Sequence, residues 1–565
     1  MTDTATVAAR PLETARPSPA GWLHRDTTRA GLVELLAIIP VVAMIAEVAR
    51  APRLQYTDYW YVLLRITNPD GSMNIPGLRF LQNEHPLMLP SLLYWVDARL
   101  ADGDNRVLGM IVVAIACGSV LLLRAALPKT LPPLMRASMV VAFAFLVFSL
   151  HGAHNFVRSM SGSAWLLANL LVIASLLLAS RGRWWPAWVV ALLACMSYGT
   201  SFAVWPALAV FAHLRGERWW RRLLPLGLGV VVVVIWMTLK PAVDPGGTPA
   251  SDLGTVFYTF LAVIGHLWTG TDSGTAVLAG GVVLAIYGML IGNRDARSPE
   301  LRFWWVLGLH AVLASAMIAR ARIDFGTEFG LNSRYTSLSV LVCVPLGVLL
   351  GTVLYRRTNP AATRIAIAAL AAGVLGFVLG APTVATIRAE NRDHPLQAVA
   401  LRLGLGDAFG ASLPKDLAPR LRSMGHYPFS GDFTLGCGGP EIGTTLDLSA
   451  MTELEPADGR NPLKPAGSVD RVTPKPGAGL VVGWASTTDD PVRCVVVVDE
   501  TGEIVGGGLH SQPRPDVAAK LVGIRPDVGF TVIAPEDALS RVVVIYESGV
   551  QRWTPAQAPT AGSGK

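Results

Sequence analysis

The stretch from Trp184 to His213, WWPAWVVALLACMSYGTSFAVWPALAVFAH, decides the fold. As one helix it would be about 45 Å long, well beyond the roughly 30 Å of bilayer hydrocarbon. Both of its ends are basic, with Arg181 and Arg183 before it and Arg215, Arg218, Arg221 and Arg222 after it. Positive residues gather on the cytoplasmic side of a membrane, so matching basic ends belong on one face. The stretch therefore crosses twice, as two short helices turning near Ser197-Tyr198-Gly199-Thr200.

Working outward, apolar runs at 31–46, 107–123, 138–150, 163–179, 223–239, 274–291, 303–319, 336–354 and 364–382 read as further spans. Two shorter stretches, Pro86–Val96 and Phe257–Trp268, are read as interfacial or re-entrant helices. The basic loops 124–136, 181–183, 215–222, 294–302 and 356–364 then all fall on one face. About eleven transmembrane helices result, with the N-terminus cytoplasmic and the C-terminus outside.

Composition agrees. The 565 residues are 52% hydrophobic and 15% charged, with a mean hydropathy of +0.45. A soluble chain carries about a quarter charged residues. The net charge of +7 follows from Arg-rich cytoplasmic loops, and no nucleic-acid module is present. The expected class is thus a polytopic α-helical membrane protein with a C-terminal β-rich soluble domain.

The domains expected are a disordered cytoplasmic tail at 1–28 and a transmembrane domain at 29–383, whose large first external loop spans 47–106. An irregular extracytoplasmic segment follows at 384–475, then a β-sandwich-like domain at 476–553 and a disordered tail at 554–565. The β assignment rests on short Val-rich runs such as Val492–Val498 and Arg541–Glu547, separated by Gly/Pro/Asp turns. Cys437 and Cys494 lie in this tail, where an oxidising compartment would let them pair; the sequence alone leaves the pairing open. No Cys/His cluster suggests zinc.

Four groups on the outer side could carry chemistry. Asp58 follows the first span in Tyr56-Thr57-Asp58-Tyr59-Trp60, where surrounding aromatics would desolvate it and suit it to general-base work. Asn83, Glu84 and His85 precede the proline-bearing interfacial helix, whose N-terminus favours an anion. His154 and Arg158 belong to a tight turn, 151–158, between two spans. Arg322 and Arg334, the latter followed by Tyr335, break the positive-inside tendency, so they need an anionic partner. A lipid phosphate would serve, since arginine binds phosphate bidentately.

These residues resemble a known family. An acidic residue just after the first span, a second carboxylate later in a large first external loop, and many spans resemble the GT-C superfamily of lipid-phospho-sugar glycosyltransferases. Asn83-Glu84-His85 before an apolar helix resembles the Asn-Glu-His-Arg signature of large bacterial members. Ser197-Tyr198-Gly199 through Trp205-Pro206 resembles their Ser-x-Gly…Trp-Pro element, and Ser333-Arg334-Tyr335 their Ser-Arg-Tyr motif. Pro86 stands where the signature has arginine, which moves a phosphate-binding role elsewhere, to Arg79 or Arg334.

The resemblance implies a GT-C-like bundle in the bacterial cytoplasmic membrane. It implies transfer of a sugar from a polyprenyl-phosphate donor to a cell-envelope glycan, lipid or protein at the outer face. Asp58 would take the acceptor's proton, with inversion at the anomeric carbon, while Glu84 and His85 orient the acceptor or share the base role. Arg334 would hold the lipid phosphate together with Arg322 and Arg158; Tyr335, His154 and Asn83 complete the substrate site. No cofactor is otherwise implied, though Asp58, Glu84 and Glu328 could share a divalent cation.

Two rival classes predict different dependences. A polysaccharide ligase or polymerase would depend on His151, His154 and Arg158 and tolerate loss of Asp58. A transporter or flippase would need ionisable groups near the midplane, where the spans offer little beyond Glu34 and His310.

Overall fold

The computed structural model describes residues 19–82, 84–239, 252–269, 272–322, 327–358, 362–409, 414, 416–454, 465–486, 490–521 and 524–556. Among them, nine helices are long and apolar enough to cross a membrane. They begin with Thr27–Arg50 and end with Ala362–Arg402, whose polar end runs on into the tail.

The deciding stretch folds as two short helices, Trp184–Cys195 and Val204–Leu214, joined through a turn and the 3-10 segment Gly199–Ala203. Its two ends meet: Arg215 Nη1 donates to the Ser180 carbonyl at 2.5 Å. Matching basic ends therefore do share a side. The hairpin tip lies against the first external loop, where Leu89 N–H donates to the Met196 carbonyl at 3.2 Å.

Other basic loops gather likewise. Thr130 bonds Glu300 at 2.9 Å, and Arg356 Nη1 donates to the Asp295 carbonyl at 2.9 Å. These contacts join loops 124–136 and 294–302 to the start of 356–364, as one electrostatic face should.

At the other end, segment 47–106 packs with the tail in a small core. Helices Thr57–Ile66 and Met88–Leu100 bury Tyr59, Leu63, Ile66 and Tyr94 against Leu401, Leu417 and Leu421 of the tail. Pro90 is tolerated because it sits in the first helical turn, where no backbone N–H bond is lost. Arg53 clamps the two parts, bonding Asp104 at 2.8 Å and Asp432 at 2.7 Å.

The tail folds into one sheet. Its strands are β1 Thr452–Glu453, β2 Gly467–Lys475, β3 Ala478–Ala485, β4 Val492–Val498, β5 Ile504–Gln512, β6 Gly529–Pro535, β7 Arg541–Tyr546 and β8 Gln551–Pro555. The order is β1-β8-β7-β4-β5-β6-β3-β2. A sandwich-like domain over 476–553 was expected; instead a single sheet, with its first strand at Thr452–Glu453, curls until β8 and β2 approach each other. Alternation explains this. Val495, Val497, Phe530, Val532, Val542 and Val544 fill the inside of the curl, while Val496, Val498, Ile533 and Val543 pack on Leu396, Val399 and Ala400 of helix His394–Arg402. That helix supplies the second layer a sandwich would need from another sheet. A disulfide joins Cys437 to Cys494 of β4, with their Cα atoms 5.2 Å apart.

Two boundaries also differ. Helical structure begins at Pro19, inside the expected disordered tail, and residues 1–18 lie outside the described residues. The segment 384–475, read as irregular with a few short helices, holds most of helix Ala381–Glu390 and helices His394–Arg402 and Leu417–Met424.

The two-faced arrangement predicts that a thiol reagent unable to cross membranes labels Asp70→Cys and Lys129→Cys from opposite sides of sealed vesicles; labelling of both from one side would contradict it.

Candidate functional site

Four stretches of the chain, 56–94, 154–165, Tyr198 and 322–334, contribute to one cleft of about 260 Å³. Its lining includes Tyr56, Asp58, His85, His154, Arg158, Trp165, Tyr198, Arg322 and Arg334. Six of the residues singled out from sequence, Asp58, His85, His154, Arg158, Arg322 and Arg334, thus line the same space.

The backbone explains why they meet. Ser333 Oγ donates to the His151 carbonyl and accepts from His154 N–H, while Asn155 Nδ2 donates to the Arg334 carbonyl at 3.1 Å. The tight turn and the Ser-Arg-Tyr segment are therefore laced together. Gly162 lets helix Ser159–Ser180 pack tightly on that turn, because a Cβ there would lie 1.8 Å from the Asn155 carbonyl oxygen.

Asp58 stands in the first turn of its helix, where the dipole favours a carboxylate. It is exposed to the cleft rather than shielded by aromatics as expected, because Tyr59 and Trp60 turn to the buried side of the helix.

His85 sits in a two-residue antiparallel hairpin, opposite Gln82, and not in the first turn of the following helix. Its ring stacks on Tyr198 with centroids 4.1 Å apart. Its Nε2 is 2.9 Å from Arg322 Nη2. Arginine can only donate, so Nε2 accepts and the imidazole is neutral with its proton on Nδ1. Burial, reinforced by Arg322 and Arg334, pushes its pKa down to about 3. That Nδ1 faces Gly199, where a Cβ would lie 3.3 Å away. His85 is built to fix an arginine. The base role suggested from sequence does not fit, since its lone pair is already engaged.

Glu84 corrects another expectation. It occupies the hairpin turn with φ 69°, and its carbonyl accepts from Trp236 Nε1 at 2.7 Å. Its place is in the turn, and it is absent from the cleft lining. Asn83 lies outside the described residues. Tyr335 is buried beside Trp165, with centroids 5.4 Å apart, and hydrogen-bonds Arg322 from beneath the cleft. Glu328 bonds Ser273 at 2.8 Å instead of joining Asp58 and Glu84. Among the described residues no group of three His, Cys, Asp or Glu has metal-binding geometry.

The arginines differ in what satisfies them. Arg158 pairs with Glu390 of the tail and lies over the Tyr56 ring, 4.6 Å from its centroid. Arg322 meets His85, Tyr198 and Tyr335. Arg334 donates Nε to Asn332 Oδ1 at 3.0 Å, and among the described residues no carboxylate pairs with it. The floor is aromatic: Tyr198 lies between His85 and Trp165, 4.2 Å from the latter.

Trp165 and Glu390 were not singled out from sequence. Trp165 sits inside an apolar run and reads as a span residue. Glu390 falls in the segment read as irregular.

Because His85 is neutral when folded and titrates near 6.5 when unfolded, the unfolded chain binds more protons below pH 6.5. Its contribution is therefore intact above pH 6.5 and is lost as pH falls from there toward about 3. Thermal melts at pH 7 and pH 4.5 should show wild type losing about 2 kcal/mol more than His85→Gln over that interval. Equal losses would mean the ring is not held neutral.

No protein-family model matches the chain, and no curated protein matches it. Among solved structures it is similar to the crystal structure of ArnT from Cupriavidus metallidurans bound to undecaprenyl phosphate. The identity is 14%, with 72% of this chain and 85% of that chain covered, and the TM-score is 0.39.

Proposed function

We propose that this chain is a membrane glycosyltransferase that moves a sugar from a polyprenyl-phosphate carrier to an acceptor hydroxyl at the outer face of the cytoplasmic membrane. The observation that carries this reading is the shared cleft, lined by the exposed carboxylate of Asp58 together with Arg158, Arg322 and Arg334. A carboxylate and a cationic cradle are what such a transfer requires of a protein.

In the proposed step, the acceptor oxygen attacks the anomeric carbon and its proton passes to Asp58. The bond from that carbon to the phosphate oxygen breaks, and the electron pair leaves with the lipid phosphate. Arg334 receives the growing negative charge, with Arg322 held beside it by His85. The aromatic floor of Trp165 and Tyr198 suits the apolar face of a sugar ring or the first isoprene unit. The Cys437–Cys494 disulfide supports placing the tail in an oxidising, extracytoplasmic compartment.

The rival readings find less support. The ligase route would draw on His151, His154 and Arg158; the latter two line the cleft, but His151 is fully buried 5.3 Å from the His266 ring and does not. The transport route needs free charge in the spans, yet Glu34 is paired with Arg124 at 3.0 Å near the inner end.

The test compares wild type, Asp58→Asn and Arg334→Ala in membranes supplied with radiolabelled polyprenyl-phosphate sugars. Asp58→Asn should lower transfer by about 10²–10⁴ with unchanged thermal stability. Arg334→Ala should lower it by about 10²–10³. Full transfer by both variants would dispose of the mechanism.

A further inference from the structure

A second cavity, of about 280 Å³, lies where the first span ends and the tail begins. Its charged lining is Arg50, Arg106, Arg388 and Arg392 against Glu47, a formal charge of +3 (four minus one). Glu47 is already shared by two of them, bonding Arg50 at 3.2 Å and Arg388 Nε at 3.0 Å. Arg106 is held in place by donating Nε to the Ala51 carbonyl at 2.6 Å. Arg392 is exposed, and among the described residues it pairs with no carboxylate. The floor is apolar, formed by Ala51, Ala153, Val157, Val384 and Ile387.

The helices leading into this cavity show what it would hold. Ile38, Ile39 and Val42 of helix Ile38–Arg50 are each more than half exposed, and Leu375 and Val378, at the near end of helix Ala362–Val378, are about half exposed. Both helices therefore present apolar surface to lipid. Arg50 lies five residues beyond Ile45, about 7.5 Å further along the axis, which is headgroup depth for a chain lying against that surface. An arginine cluster at this end also breaks the positive-inside tendency.

We propose that this cavity binds the phosphate of an anionic phospholipid, whose acyl chains lie along the exposed faces of the two helices. The site is separate from the cleft around Asp58, and the proposal does not rest on the transfer reading. It touches the cleft wall, because Asn391 lines the cavity and accepts from Tyr56 Oη at 2.5 Å. A bound lipid would thus brace the Glu390–Asn391 turn that holds Arg158.

Full-length, delipidated protein in detergent would be titrated with phosphatidylglycerol or phosphatidylcholine, and bound lipid counted by native mass spectrometry. Wild type should bind phosphatidylglycerol in preference, and Arg388→Ala/Arg392→Ala should weaken it about tenfold. Arg181→Ala, on the opposite face, should bind as wild type. Arg392→Ala alone removes a side chain without a carboxylate partner, so it keeps the question open to test if the double variant fails to fold. Equal binding of the two lipids, or undiminished phosphatidylglycerol binding by both variants, would overturn the proposal. So would equal affinity for soluble glycerol phosphate, which would make this a site for free phosphate.

Discussion

Arginine cannot shed its proton in a protein, so guanidinium groups crowded at the mouth of an apolar bundle must find negative charge or lone pairs. That constraint organises the outer end of this molecule. Arg158 reaches a carboxylate of the tail, Glu390. Arg322 takes the lone pair of a histidine kept neutral by burial and by the arginines themselves. Arg334 is met by the Asn332 amide oxygen. Each neighbour is placed by a separate segment, so the cleft exists only when the first loop, the 151–158 turn, the 333–335 segment and the tail are assembled together.

Satisfaction by neutral groups leaves the local field positive. A hydrogen bond from Arg322 to imidazole or phenol fixes the side chain without cancelling its charge. An anion entering the cleft therefore meets oriented cations that need little rearrangement, which is the electrostatic preorganisation that stabilises charge developing on a leaving phosphate. Asp58, in the same cleft lining and in the first turn of its helix, supplies the opposite polarity.

Much of the bundle was legible because membrane proteins write their topology in simple terms. The basic ends of Trp184–His213 foretold a hairpin, and the Arg215–Ser180 contact closes it. Arginines placed against the positive-inside tendency, Arg322 and Arg334, pointed to the cleft because their cost is electrostatic and needs no coordinates to see. Trp165 was hidden for the opposite reason: in an apolar helix an aromatic ring carries no signal of which neighbour it faces. Glu84 and His85 looked like one functional pair, but Glu84 occupies the hairpin turn at φ 69° while His85 begins the return strand, so of the two only His85 lines the cleft. The single curled sheet was missed because alternating Val-rich strands specify two apolar faces and not what covers them.

The central claim is that a lipid phosphate seats among these arginines. Photo-cross-linking with a benzophenone-bearing polyprenyl phosphate, followed by peptide mapping, tests it directly. Adducts confined to 154–165, 198 and 322–335 in wild type, and lost in Arg334→Ala, are the result the account predicts. Adducts on loop 294–302 at the opposite end, or a pattern indifferent to Arg334, would contradict it.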